Sequence, residues 1–193
     1  MYGHQNKVSD FFYEHYIPGA MAWLDVGSGK TVSALDTIAR MDDDFSFNKL
    51  LVVSTKLIVD NVWPVEIKKW AQVNHLTITT RSQLLSVRRN CTDQDYLEAK
   101  IKSRKMGKII RRRGKSKTPP ERLKQYKGYM RLVRERERDL LKQFDTDVTL
   151  INVENFTWLA TRYARQWPFD TVVFDECSLF RNCLLYTSDA ADE

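Results

Sequence analysis

Five consecutive residues near the N-terminus have the types and order of a phosphate-binding loop. They are Gly27, Ser28, Gly29, Lys30 and Thr31. Glycines let backbone N–H groups turn towards phosphate oxygens, the lysine reaches the β- and γ-phosphates of a nucleotide, and the threonine hydroxyl can ligate Mg²⁺. The full GxxxxGK[ST] pattern has another glycine at position 24, where this chain has Leu24. A glycine turn followed by a chance Lys-Thr pair is the alternative interpretation.

Two adjacent carboxylates could supply the other half of the same chemistry. Asp175 and Glu176 follow the apolar run at 172–174. Transfer of a phosphoryl group to water needs a carboxylate for the metal ion and a group that orients or deprotonates the water. We expect Asp175 to hold Mg²⁺ through water and Glu176 to act as the base. The plainer alternative is that Asp175 ends a strand and Glu176 is solvated.

Short aliphatic runs alternate with stretches of helical spacing over most of the chain. The runs predict five strands, at about 20–25, 49–54, 75–79, 148–151 and 170–175. Apolar steps of three and four predict helices over about 30–40, over 57–71 with a second segment opened by Pro64, and from 156 onwards. Continuous apolar strands that alternate with helices are typical of an α/β fold, with a parallel sheet covered by helices on both faces.

The segment from about 82 to 146 interrupts this alternation. Residues 81–146 carry 21 Lys and Arg against 8 Asp and Glu, whereas the rest of the chain has a net charge of −7. Two polar helical stretches flank a breaker at 114–120, and the second has an apolar seam in which Glu137 is the one polar residue, as in a helical hairpin. Cations beside the tip could bind nucleic-acid phosphates, or could be simply solvated. These cations are Arg111, Arg112, Arg113 and Lys115.

The composition excludes several other classes of protein. The three cysteines have no CxxC spacing and the three histidines are scattered, which argues against a disulfide framework or a zinc site. No apolar run approaches the roughly 18 residues of a membrane-spanning helix, and the polar N-terminus lacks a signal peptide. We therefore expect a protein of a reducing compartment with no membrane partner.

With both motifs in hand, the chain resembles the first RecA-like domain of superfamily 2 helicases and translocases. The likeness is strongest to the Swi/Snf-like branch found in phages and bacteria. Residues 23–31 are similar to its motif I, residues 51–56 with 63–70 to motif Ia, and residues 175–178 to motif II. Residues 152–156 are similar to a Tyr-Glu-Asn-like segment of the family.

The resemblance implies that residues 1–182 are the ATP-binding lobe of a motor that moves on nucleic acid, with ATP and Mg²⁺ as cofactors. It implies Lys30 and Glu176 as catalytic residues, and Gln5 as a reader of adenine. It also places three residues at the backbone of nucleic acid, which we expect to be DNA. These are Ser54, Thr55 and Lys56.

The family has a second RecA-like lobe, which supplies an arginine finger and has no counterpart in this chain. The resemblance also implies a cytoplasmic location, in a bacterial cell or a phage-infected host. Residues 183–193 resemble translated sequencing-adapter read-through, so we expect a non-native or disordered tail on a truncated chain. By itself, such a lobe is expected to hydrolyse very little ATP.

Two other functions fit parts of the same pattern. The chain could be a different P-loop NTPase or kinase, against which stand the Asp-Glu pair and motif Ia. Stimulation of hydrolysis by nucleic acid would separate these two functions. It could also be a non-catalytic nucleic-acid-binding protein that uses the basic hairpin, which ATP binding dependent on Lys30 would exclude.

Overall fold

The structure is a computed structural model. It describes residues 2–17, 19–22, 24–25, 27–163 and 166–176. The described residues form two compact units, which we call the sheet unit and the helical unit. The sheet unit takes its described residues from 1–81, 146–156 and 168–193, and the helical unit from 82–145 and 157–167.

A parallel four-stranded sheet forms the centre of the sheet unit. Its strands are β1 (Leu50–Ser54), β2 (Ile78–Thr79), β3 (Val148–Asn152) and β4 (Thr171–Phe174). The spatial order is β2-β3-β1-β4, and all three pairings are parallel. The predicted α/β class is therefore confirmed, and four of the five predicted strands are present, although β2 is shorter than expected.

Four helices lie within the described residues of the sheet unit; the last three follow the predicted spacing, and the first was not predicted from the sequence. They are α1 (Gly3–Glu14), α2 (Lys30–Asp43), α3 (Lys56–Asn61) and α4 (Trp63–Lys69). Pro64 lies in the first turn of α4, where its missing N–H has no intrahelical partner to lose, so the predicted break at this proline is confirmed. Among the described residues, no helix combines the length and the apolar character needed to cross a membrane.

The core of the sheet unit explains why its central strands read as unbroken aliphatic runs. Every residue of β1 and β3 is buried. Alternate side chains of these strands join one cluster with side chains from α2, α3 and α4. The remaining ones, including Leu51, Val53 and Ile151, are buried on the other face. Both faces of β1 and β3 are therefore covered, as expected for parallel strands.

The predicted strand at 20–25 is wrong for the residues that the structure describes there. Residues 20–22, 24 and 25 have no strand pairing, and the side chain of Met21 is 58% exposed. An aliphatic run forms a strand only where a neighbouring strand pairs with its backbone groups. The glycine-rich loop therefore follows irregular backbone in this part of the chain. Trp23 and Val26 lie outside the described residues.

Three long helices and the second half of a fourth make up the helical unit. They are α5 (Arg81–Asn90), α6 (Gln94–Arg113), α7 (Pro120–Leu141) and α8 (Val153–Tyr163), of which α5 and α8 begin in the sheet unit. The predicted breaker is confirmed: Gly114 has a φ of 82° and leads into a short 3-10 turn, Lys115–Lys117. The first of the two predicted stretches is divided at 91–93, where the Asp93 carboxylate caps α6 by accepting from Tyr96 N at 2.9 Å.

Candidate functional site

The glycine-rich loop is a tight turn that ends in α2. Gly27 and Gly29 have φ angles of 82° and 84°, in the left-handed region that favours glycine. Between them, Ser28 donates from both its N–H and its hydroxyl to the carbonyl of Asp25, at 3.3 and 2.8 Å. Gly29 is the N-cap of the 14-residue helix α2, and no side chain from the described part of the chain caps it. Its first N–H groups are oriented as an anion-binding site requires.

Helix α1 supports the loop from the side. Gln5 is 8% exposed, accepts from Tyr2 N at 2.9 Å and donates from Nε2 to the Ser28 carbonyl at 3.4 Å. His4 Nε2 lies 3.1 Å from the same carbonyl oxygen. A Cβ added to Gly29 would lie 2.1 Å from Gln5 Nε2, so a side chain there would displace the Gln5 amide and would also strain the backbone at this φ.

The position of Gln5 bears on the adenine-reading role that the resemblance implies. Both ends of its amide are engaged by backbone groups of this chain. In this arrangement Gln5 connects α1 to the glycine-rich loop. Contact of Gln5 with adenine stays a prediction.

Asp175 lies just past the end of β4, beside the end of β1. Its N–H donates to the Val53 carbonyl at 2.9 Å, which continues the strand pairing by one residue. Its Oδ2 accepts from Trp63 Nε1 at 3.0 Å. Burial raises the pKa of Asp175 above its ordinary value and the charge of Glu176 adds to the rise, against the opposing effects of the Trp63 hydrogen bond and the Lys30 charge.

Glu176 has a backbone conformation that glutamate rarely adopts. Its φ is 72°, in the left-handed region, where an L-residue with a side chain pays roughly 1–2 kcal/mol. Such residues cluster at functional sites but also occur elsewhere: Phe45, which follows α2, has a φ of 54° and is 92% exposed. The role of Glu176 as a base stays a prediction.

Ser54, Thr55 and Lys56, the residues predicted to contact nucleic acid, have different environments. Ser54 is fully buried, and its hydroxyl has no hydrogen-bond partner of normal geometry among the described residues, although its proximity lowers the pKa of Asp175. The Thr55 hydroxyl caps α3 by accepting from Ile58 N at 3.4 Å. Lys56 is exposed. Of the three, Lys56 alone presents an unused polar group to solvent.

Polar side chains also follow β3, at the same edge of the sheet. Asn152 is opposite Ser54 in the strand register and is 4% exposed. Its side chain accepts from Asn155 Nδ2 at 2.7 Å and donates to Glu154. The segment 152–156, singled out in the sequence, therefore forms its own hydrogen-bonded turn at the start of α8.

The residues predicted to hold Mg²⁺ have suitable chemistry. Thr31, in the first turn of α2, offers a hydroxyl and Asp175 a carboxylate, and Mg²⁺ prefers such oxygen ligands. Among the described residues, no three His, Cys, Asp or Glu side chains converge on a metal position. A magnesium ion here would complete its octahedral shell with phosphate oxygens and water, which is its usual mode of binding with nucleotides.

The cations predicted at the tip of the basic hairpin are all exposed. Arg111, Arg112 and Arg113 form the last turn of α6, and Lys115 lies in the 3-10 turn that follows. Arg111 Nε donates to the Gly107 carbonyl at 3.4 Å, a side-chain contact within α6 itself. These four side chains therefore present their positive charges to solvent.

Sequence reasoning missed a buried carboxylate in the helical unit. Glu137 on α7 is 2% exposed and accepts hydrogen bonds from Tyr96 Oη at 2.9 Å, from Trp158 Nε1 at 2.9 Å and from Arg162 Nε. Burial alone would raise the pKa of Glu137, but these hydrogen bonds and the charge of Arg162 hold it below its ordinary value. The one signal was that Glu137 interrupts an apolar seam.

Comparisons with known proteins add no family assignment. No protein-family model, no curated protein and no solved structure matches the chain. A functional interpretation therefore depends on the motifs and the geometry of the loop and the carboxylates.

Proposed function

We propose that the sheet unit is a RecA-like ATP-binding lobe of a nucleic-acid-dependent ATPase, of the helicase or translocase type. The observation that carries the proposal is the placement of the two motifs within one unit: the glycine-rich loop leads into the N-terminus of α2, and Asp175 follows the carboxyl end of the parallel strand β4. The positive charge of Lys30 also opposes the rise in the pKa of Asp175. A phosphate-binding loop beside a carboxylate at the end of a parallel strand is the arrangement that P-loop NTPases use.

The proposed reaction is ATP + H₂O → ADP + phosphate, and each residue of the site has one task in it. Bound Mg²⁺ would neutralise charge on the phosphate oxygens. The N–H groups at the start of α2 and Lys30 Nζ bind the β- and γ-phosphates. Thr31 Oγ1 would hold the metal, and Asp175 would hold it through water. The Glu176 carboxylate accepts a proton from the attacking water.

The helical unit supports nucleic acid as the partner of this ATPase. Residues 81–146 have a net charge of +13, and the four cations at the hairpin tip are exposed. Clustered, solvent-facing Arg and Lys bind phosphates with an affinity that falls steeply as salt rises. The same surface would serve a non-catalytic nucleic-acid-binding protein, so nucleotide binding has to be tested separately.

The first experiment measures nucleotide binding, with a fluorescent ATP analogue and Mg²⁺. Lys30→Ala should abolish binding because it removes the cation that meets the phosphates. Lys68→Ala changes an exposed lysine of α4 and should bind like the unmodified chain. Retained binding in the Lys30 variant would contradict the proposal and favour the non-catalytic alternative.

The second experiment tests the partner by measuring the salt dependence of affinity for duplex DNA. Changing Arg111, Arg112 and Arg113 together to Gln should flatten the plot of log K against log salt by about 0.9 for each phosphate that the variant no longer neutralises. The matched control changes Lys124, Lys127 and Arg131, three exposed cations of α7. Equal losses of DNA affinity in both variants would mean that binding depends on diffuse positive charge and not on the hairpin tip. In a separate measurement, ATP turnover that DNA does not change would favour another NTPase or a kinase.

A further inference from the structure

Trp63 connects the apolar core to the proposed metal ligand. Its side chain is fully buried, in the same cluster as Leu35, Val59 and Leu150. From there its Nε1 donates to Asp175 Oδ2 at 3.0 Å. Most of the indole is thus held by close packing, while its one polar atom reaches the end of β4. In the sequence, Trp63 belongs to the segment that is similar to motif Ia, and no function is predicted for its side chain.

The chemistry of this donor distinguishes it from an ion pair. An indole has a single N–H, carries no charge and accepts no hydrogen bond. It can therefore fix one carboxylate oxygen without neutralising the group, whereas an arginine would engage both oxygens and cancel the charge. Because a carboxylate is planar, fixing Oδ2 and the strand backbone together restricts the direction of Oδ1.

We propose that Trp63 is a positioning residue, which orients the Asp175 carboxylate for a divalent cation bound with ATP. This inference depends on the proposed function, because it assigns Asp175 a metal ion. Removal of a group that hydrogen-bonds to a metal ligand typically weakens metal affinity about 10–100-fold. Trp63→Phe should have an effect in this range, because phenylalanine retains an apolar ring and loses the N–H.

The first measurement tests the hydrogen bond itself and needs no nucleotide. In ¹⁵N-edited NMR spectra of the full chain, Trp63→Phe identifies the indole N–H signal of Trp63 by its disappearance. That signal should shift in Asp175→Asn and stay unchanged in Glu137→Gln, while the signal of Trp158 should respond in the opposite way. A Trp63 signal indifferent to Asp175→Asn would overturn the inference and leave the proposed function intact.

The second measurement separates positioning from a structural role. Affinity for Mn²⁺, used as a probe for Mg²⁺, is measured by electron paramagnetic resonance in the presence of ATP. Affinity for ATP is measured separately without metal. Trp63→Phe should weaken Mn²⁺ binding about 10-fold or more and leave metal-free ATP affinity unchanged, because the loop residues are untouched. Trp158→Phe, which removes an indole donor from Glu137, should change neither quantity.

Each remaining outcome has a defined meaning. Unchanged Mn²⁺ affinity in Trp63→Phe, or equal loss of Mn²⁺ and metal-free ATP binding, would overturn positioning and leave a packing role. Circular dichroism melting of each variant establishes that the comparison is between folded proteins. Failure of the unmodified chain to bind ATP at all would overturn the proposed function, and the inference with it, even where the NMR result shows the hydrogen bond.

Discussion

Asp175 and Glu137 are carboxylates withdrawn from water in different units, and their surroundings have opposite effects. Glu137 accepts three hydrogen bonds, one of them from a guanidinium group, and its pKa lies below its ordinary value. Asp175 accepts from a neutral indole, lies beside Glu176, and has a raised pKa. The negative charge of Glu137 is therefore balanced by its hydrogen bonds and by Arg162, whereas the negative charge of Asp175 is only partly balanced.

The difference separates a structural carboxylate from one available for chemistry. A buried charge stabilises its surroundings only when hydrogen bonds and an opposite charge replace the water that it has lost. Glu137 meets that condition within its own unit. Asp175 does not, so a bound cation would supply the missing opposite charge, and a carboxylate whose pKa is raised in this way is a candidate for a functional site.

The largest expected contrast is in catalysis. Glu176→Gln should cut ATP turnover about 10²–10⁴-fold, as loss of a general base does, with nucleotide binding preserved. Glu137→Gln should leave turnover unchanged at temperatures where the chain is folded. Steady-state phosphate release in the presence of DNA measures both variants in a form of the protein with detectable activity. Parallel losses of turnover in both would mean that the two carboxylates are not functionally distinct.

The next contrast is in stability. Glu137→Ala should destabilise the helical unit by about 3–5 kcal/mol, because it leaves the Arg162 guanidinium, whose side chain is only 11% exposed, without its partner. Asp175→Ala should cost the sheet unit less, about 1–3 kcal/mol, because the carboxylate removed is poorly compensated and the main loss is the acceptor of the buried Trp63 N–H. Native-state hydrogen exchange of amides in α6 and α7, compared with β1 and β3, reports on each unit separately. Comparable destabilisation by both substitutions would remove the distinction between a satisfied and an unsatisfied anion.

The two carboxylates should also contribute to pH dependence with opposite signs. Glu137 has a lowered pKa, so the unfolded chain binds more protons and this stabilising contribution is lost as pH falls below the ordinary value of about 4.3. Asp175 has a raised pKa, so its contribution is present below the ordinary value and is lost as pH rises through the folded value.

Urea denaturation at a series of pH values, followed by circular dichroism, measures these contributions. Glu137→Gln should flatten the loss of stability on the acid side. Asp175→Asn should raise stability at neutral pH and leave the acid-side loss as it is. An acid-side loss that persists unchanged in Glu137→Gln would show that other carboxylates cause it.

The smallest expected effect concerns the strained backbone beside Asp175. Glu176→Gly should be more stable than Glu176→Ala by about 1 kcal/mol, because glycine adopts a left-handed φ without steric cost. Glu135, in the interior of α7, provides the control. There, glycine should be less stable than alanine by about 1 kcal/mol. Alanine and glycine of equal stability at 176 would show that the strain is absent in solution.

How much of the fold the sequence predicts depends on how locally each feature is encoded. Strands β1 and β3 are buried on both faces, so every position is apolar or small and the run is visible without knowing its neighbours. The run at 20–25 has the same composition, yet its described residues pair with no strand. The aliphatic composition of a segment indicates that its side chains are buried. Strand formation also needs a neighbouring strand, which the sequence of one segment does not reveal.

The candidate site shows the same division. The loop and the Asp-Glu pair could be found because each is a short motif beside an apolar run. The contact of Trp63 with Asp175 and the donors of Glu137 could not, because these partners lie far apart along the chain and meet only through the fold. Contacts between residues that are far apart along the chain are therefore the part of a site that short sequence motifs reveal least.

One consequence of the contact between α1 and the glycine-rich loop concerns a single peptide plane. His4 and Gln5 both approach the carbonyl oxygen of Ser28. In a trans peptide the C=O and the following N–H point in opposite directions, so a carbonyl turned towards α1 turns the N–H of Gly29 away from it. The first helix thereby sets the direction of one bond dipole in the glycine-rich loop, that of the N–H at the N-cap of α2.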